Sequence, residues 1–162
     1  PTDGPTMLVF LAHWCSHCND EIPEIIKLRI KGLLPDNLNI IGVSTAVEPD
    51  RDNYPPSKWI VEKSWTWPML ADTADSEAIQ MYGGSGFPFV VMLNADGTVN
   101  ARKSGYEPAS KTLDWINAAL LSTCSEKPVR WLADSACSRR RQCLVVTDIV
   151  VVTKHEVSIE VS

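Results

Sequence analysis

Residues 7–12, Met-Leu-Val-Phe-Leu-Ala, form an unbroken apolar run, the pattern of a central strand buried on both faces rather than of a one-sided edge strand. The run leads straight into Trp14-Cys15-Ser16-His17-Cys18. Beyond it Ile22, Ile25, Ile26 and Ile30 recur at helical spacing, and Gly32, with Pro35 just after it, marks the helix end. Pro23 lies inside this helix and should kink it. Residues 39–43, Asn-Ile-Ile-Gly-Val, read as a second buried strand. A strand, helix and strand with this crossover length predict parallel pairing in an α/β sheet.

Residues 48–56 are polar and proline-bearing, and Pro56 suits the first turn of a helix through Trp59, Ile60 and Val61. A short extended stretch over 67–71 and a short helix over 75–82, closed by Gly83 and Gly84, follow. Residues 89–93 are strand-like, Asn94-Ala95-Asp96-Gly97 is a turn signal, and 98–103 return as the partner strand of a β-hairpin. Pro108 opens a helix whose Leu113, Ile116, Leu120 and Leu121 mark the face expected to pack on the sheet. The pattern thus predicts a domain over 1–122 and a distinct C-terminal extension over 123–162. The extension carries the basic cluster Arg139, Arg140 and Arg141, then valine-rich stretches that suit a hairpin or an added strand.

At 162 residues the chain has the length of one ordinary domain with an appendage. A net charge of −5 gives no electrostatic reason to expect nucleic acid or an anionic membrane as partner. The apolar runs fall far short of the roughly 20 residues that span a bilayer. Any signal peptide or membrane anchor is therefore expected to lie outside this sequence.

The chemistry sits in Cys15 and Cys18. A Cys-x-x-Cys pair where a buried strand ends and a helix begins puts the first sulfur at the helix N-terminus, where free amides and the macrodipole favour a thiolate. The second sulfur, one turn later, can resolve a mixed disulfide by intramolecular attack. Cys15 is then the nucleophile and Cys18 the resolving thiol. Zinc knuckles use the same spacing, and Cys124, Cys137, Cys143, His13, His17 and His155 are conceivable further ligands, but no second Cys-x-x-Cys or His-x-x-x-His exists. An inert bridge fits a strand feeding directly into the pair less well than a redox loop does. No metal or other cofactor is expected.

The segment Phe10-Leu11-Ala12-His13-Trp14-Cys15-Ser16-His17-Cys18, followed by Glu21-Ile22-Pro23, resembles the active-site segment of the thioredoxin superfamily, and within it the extracytoplasmic TlpA/ResA/DsbE-like branch of AhpC/TSA–redoxin type domains. Gly86-Phe87-Pro88 resembles the loop that carries the superfamily's cis-proline, and Leu93-Asn94-Ala95-Asp96-Gly97 its hairpin. Residues 41–83 resemble the extra strand–helix insertion of the branch. The likeness covers about residues 7–121 and implies a thioredoxin-like α/β fold, a central mixed β-sheet flanked by helices, and protein thiol–disulfide exchange. It departs from the pattern at Leu11, which replaces an aromatic, and in the hairpin that often precedes the first strand, which implies an open or truncated edge there. Val9 stands where cytosolic thioredoxins carry a buried Asp.

By this resemblance Glu21 is the acid that assists proton transfer at Cys18, the alternative being an ordinary exposed helix glutamate. Trp14, Phe87 and Pro88 shape the site. His17 occupies the first helical turn, where an imidazolium would favour a Cys15 thiolate and an oxidising couple; DsbA-type oxidants have His there, whereas the branch matched here often has Pro and acts as a reductant. The sequence leaves the direction open, and a solvated His17 is the plain alternative. Expected partners are client proteins with thiols or disulfides and an upstream redox partner, in an extracytoplasmic setting such as the periplasm or cell envelope. Two rivals stand beside this reading: a thiol peroxidase of the AhpC/TSA class, and a non-catalytic redoxin-fold binding module. Peroxiredoxins place a Thr three residues before the peroxidatic Cys, and here that position is Ala12. Trp59, Trp65, Trp67, Trp115 and Trp131 read as packing residues.

Overall fold

A computed structural model of the chain describes residues 3–122. The C-terminal extension, with Cys124, Cys137, Cys143, Trp131, His155 and the arginine cluster, lies outside the described residues.

The apolar run at the start becomes β1 (Thr6–Leu11), buried at every position. It is followed by α1 (Ser16–Ile30), β2 (Asn39–Ser44), α2 (Pro56–Glu62), β3 (Met69–Ala71), α3 (Glu77–Met81), β4 (Phe89–Leu93), β5 (Val99–Ser104) and α4 (Ala109–Ser122). These strands form one sheet in the order β3-β2-β1-β4-β5. β1 pairs in parallel with β2 and antiparallel with β4, so the sheet is mixed and β1 is its centre. A strand walled by neighbours on both edges and by side chains on both faces has no polar surface to present, which is why its sequence is a run and not an alternation.

The pleat divides the core in two. Met7, Val9 and Leu11 point to a cluster with Ile22, Ile25 and Leu28 of α1, Trp59 and Ile60 of α2, and Ile116 and Ala119 of α4. Leu8 and Phe10 point the other way, to Val43, Phe89, Val91 and Ile79 of α3. Gly42, opposite Val9 in the β1–β2 register, has no room for a side chain: a Cβ there would stand 2.5 Å from Met69 Cε and 3.1 Å from Trp65 Cζ2.

Two helix faces differ from the periodicity reading. On α1 the innermost residues are Cys18, Glu21, Ile22, Ile25 and Leu28, and Ile30 is exposed. On α4 they are Ala109, Thr112, Ile116 and Ala119, while Leu121 is exposed and Leu113 and Leu120 sit at the margin. Both outliers fall near helix ends. Trp59 and Trp65 are core residues, and Trp67 and Trp115 pack against the core only in part.

α3 is a short helix, yet it is firmly held. Asp72 accepts the amides of Thr73, Ala78 and Ile79 and the Thr45 hydroxyl. Partial burial alone would raise the Asp72 carboxyl, but these four donors outweigh it and hold the group below its ordinary range.

Candidate active site

Cys15 is the N-cap residue of α1, with extended backbone at φ −77° and ψ 120°. β1 ends at Leu11, so the strand end and the helix start are bound into one tight connection by the Cys15 amide, which donates to the Ala12 carbonyl at 3.1 Å. Cys15 therefore sits at the helix N-terminus, where free amides and the helix dipole favour a thiolate, although its side chain makes no capping hydrogen bond. Asn19 returns its side-chain amide to the Cys15 carbonyl at 2.9 Å, and its own Oδ1 accepts the Trp59 indole N–H at 2.9 Å. The α2 insertion is thereby wired to the first turn of α1.

Both cysteines are free thiols, Cys15 partly exposed and Cys18 buried. The Cys15 thiol points at the Phe87 carbonyl, 3.7 Å away, and the Phe87–Pro88 peptide is cis. Phe87 also meets Trp14 edge to face, with ring centroids 5.8 Å apart. Trp14, Cys15, Phe87 and Pro88 therefore stand together across 72 residues of sequence, the grouping that the resemblance of the Gly86-Phe87-Pro88 loop implied. His17 is exposed on the first turn of α1.

Burial pushes the Cys18 thiol far above its ordinary range. A backbone contact at Ala12 opposes this, while Cys15 and the Glu21 carboxylate add to it. This asymmetry has a measurable consequence. An unfolded thiol ionises near pH 8.5, and the native one does not, so above that pH the unfolded state binds fewer protons and is favoured. The stability that Cys18 contributes is complete below about pH 8.5 and drains away as the pH rises towards the raised native value. Thermal unfolding of the reduced protein at neutral pH and near pH 10 should therefore show a larger alkaline loss than the same comparison for Cys18→Ala. Equal losses would mean that Cys18 titrates normally.

Glu21 is a fully buried charge, unlike the exposed helix glutamate that was its plain alternative. Its Oε1 lies 3.3 Å from Lys103 Nζ on β5, and its Oε2 accepts the Glu107 amide at 3.0 Å. One turn on, Glu24 Oε2 accepts the Ala109 amide, which with Lys27 holds the Glu24 carboxyl below its ordinary range. Two glutamates of α1 thus receive the free amides that lead into α4.

The contacts that surround the active-site segment gave no sequence signal of their own. His13, two residues before Cys15, is fully buried. Its Nε2 accepts the Glu48 amide at 3.2 Å, and its Nδ1 lies 2.6 Å from the Asp52 carbonyl, which assigns the ring hydrogen to Nδ1. With both nitrogens engaged, His13 has none left for a metal. Asn53 donates to the His13 carbonyl at 2.8 Å, the Trp14 indole donates to the Ala46 carbonyl at 2.8 Å, and the Arg51 guanidinium stacks 4.6 Å from the Trp14 ring centre. The loop from β2 to α2 is pinned to the active-site segment by these contacts. Its Ala46 and Asn53 hold left-handed backbone, φ 48° and 64°, a conformation that costs an alanine about 1 kcal/mol and persists only where surrounding contacts enforce it. Among the described residues no cluster of three His, Cys, Asp or Glu side chains has the geometry of a metal site.

This sheet, with two thiols at the end of its central strand, defines a redoxin domain of thioredoxin-like fold. The AhpC/TSA family model matches residues 2–102, and the chain belongs to that family. A thioredoxin of Rhodospirillum rubrum is 26% identical over 118 residues, covering 73% of this chain and 85% of that protein. Among solved structures, StoA from Bacillus subtilis superposes with a TM-score of 0.59 at 21% identity, over 71% of this chain and 84% of that one. A secreted Mycobacterium tuberculosis disulfide oxidoreductase homologous to E. coli DsbE does so with a TM-score of 0.57 at 20% identity, over 72% and 83%. At these identities the structural likenesses carry the fold.

Proposed function

We propose that this protein is a thiol–disulfide oxidoreductase that exchanges disulfides with protein clients through Cys15 and Cys18. The observation that carries this reading is the unequal setting of the two thiols: Cys15 partly exposed at a helix N-terminus beside the Phe87 carbonyl, Cys18 buried behind it. In the reducing direction the Cys15 thiolate attacks a client disulfide, one client sulfur leaves as a thiol, and a mixed disulfide forms. Cys18 then gives its proton to Glu21 and attacks Cys15, releasing the second client thiol and closing the Cys15–Cys18 disulfide. The oxidising direction is the reverse. The Phe87 backbone, half-buried beside Cys15, offers an extended client segment a pairing edge. The upstream redox partner resets the pair.

The secreted relative supports a place outside the cytoplasm for this chain. None of the helices among the described residues is long and apolar enough to cross a membrane. Family membership alone leaves room for a thiol peroxidase, but Ala12 supplies no hydroxyl three residues before Cys15. Insulin reduction and peroxide consumption, measured side by side, decide the matter. Catalysed insulin reduction with peroxide consumption at background supports the proposal, and the opposite result replaces it with the peroxidase.

His17 sets the direction in this scheme. Its imidazolium, exposed in the first turn of α1, would stabilise the ionised reduced state and has no counterpart interaction in the disulfide. His17→Gln should make the couple more reducing by tens of millivolts, 30 mV corresponding to about 1.4 kcal/mol for two electrons. His17→Pro should shift it in the same direction and also report the backbone change. Equilibration against a glutathione buffer measures both, and potentials equal to wild type would make His17 a solvated side chain.

A further inference from the structure

Lys103 is a lysine whose charged end is buried, with a side chain only 8% exposed. Lysines almost never take such a position without partners, and the partners here run from the core to the surface. Its Nζ lies 3.3 Å from Glu21 Oε1, 3.0 Å from the Thr112 hydroxyl and 3.2 Å from Glu107 Oε2. Glu21 is inaccessible, whereas the Glu107 side chain is 41% exposed. The Trp115 ring, 5.7 Å from the ammonium, closes another side. The charges facing Lys103 are thus Glu21 from α1 and Glu107 from the β5–α4 connection. Thr112 and Trp115 of α4 are uncharged. The other titratable groups on this side of α1 are the two thiols and Glu24, which is occupied by Ala109 and Lys27.

We propose that Lys103 is a positioning residue of disulfide exchange: it fixes the Glu21 carboxylate one helical turn from Cys18 and links it by hydrogen bonds to the half-exposed Glu107, giving a proton received by Glu21 a way to solvent. The proposal rests on the role given to Glu21 above. In the resolving step the Cys18 S–H proton passes to Glu21, and the Cys18 sulfur bonds to Cys15 as the Cys15–client S–S bond breaks. The client thiolate leaves with the electron pair. Lys103 hands one proton to Glu107 and takes the one on Glu21, which restores the ammonium and the carboxylate, and Glu107 loses its proton to water. No outside oxidant or reductant enters this step.

The test is the rate at which a disulfide-bonded model peptide, captured on Cys15, is released by Cys18 across pH values from about 4 to 8. Removing a cation beside a carboxylate makes that carboxylate harder to ionise. Lys103→Met should therefore move the acid limb of the release rate up by about one pH unit or more, with Lys103→Arg restoring most of it. Glu21→Gln should abolish the limb, and Lys103→Met should then add no further shift. Glu107→Gln should slow release severalfold with no change in peptide capture. A Lys103→Met profile coincident with wild type overturns the proposal while leaving the role of Glu21 intact. Wild-type protein that captures no peptide, or a Glu21→Gln limb unchanged from wild type, removes the reading beneath it. Should Lys103→Met not fold because Glu21 is left unpaired, Glu107→Gln decides, and release at the wild-type rate overturns the proposal.

Discussion

Cys15→Ser is expected to reduce insulin-reduction turnover to the uncatalysed background, while Cys18→Ser captures clients as stable mixed disulfides without releasing them. The difference follows from geometry. Cys15 is the thiol that a client sulfur can reach, and without it no first bond forms. Cys18 is buried, so its loss leaves the first attack untouched and removes only the intramolecular second one. Non-reducing electrophoresis and mass spectrometry read the adducts directly: a one-to-one adduct with a disulfide peptide for Cys18→Ser, none for Cys15→Ser. Turnover surviving in Cys15→Ser would exchange the two roles or discard the dithiol mechanism.

The second large effect concerns stability. Trp59→Ala should destabilise the fold by about 3–5 kcal/mol, the usual consequence of emptying a large aromatic site in a packed core. Trp59 is 1% exposed and belongs to the same cluster as Val9, Ile22 and Ile116. It lies in α2, within the insertion, so the insertion supplies part of the main core. Trp59→Phe keeps most of the apolar body but leaves Asn19 Oδ1 without its donor, and should cost about 1–3 kcal/mol. Urea unfolding of the three proteins gives the comparison. A loss below about 1 kcal/mol for Trp59→Ala, the size of an average substitution, would mean that α2 is not part of the core. Because Asn19 also holds the Cys15 carbonyl, both variants should disturb the pH dependence of exchange as well.

Much of this was legible in the amino-acid order. A run of six apolar residues suits a two-sided strand, the apolar spacing after Cys18 is that of a helix, and Asn94-Ala95-Asp96-Gly97 turns a hairpin; such signals arise from neighbours in the chain. They locate Cys15 and Cys18 at a strand-to-helix junction, and the residues around them carry the family likeness. The helix faces were less legible because spacing weights large side chains. The buried residues of α4 are Ala109, Thr112, Ile116 and Ala119; Ile116 was legible from spacing, but Ala109, Thr112 and Ala119 are small residues that a search for leucines passes over.

What the chain order determined by itself, then, is the strand and helix pattern, the dithiol and its class of chemistry, since all of these depend on residues within a turn or a strand of one another. Tertiary structure alone decided the surroundings that tune the dithiol. Lys103 and Glu21 are 82 positions apart, His13 and Glu48 35, Trp59 and Asn19 40, and nothing local marks any of these residues as a partner. Such pairs exist because the sheet order brings β5 and the β2–α2 loop against α1, and a buried charge or amide must find its counterpart among whatever the topology delivers there.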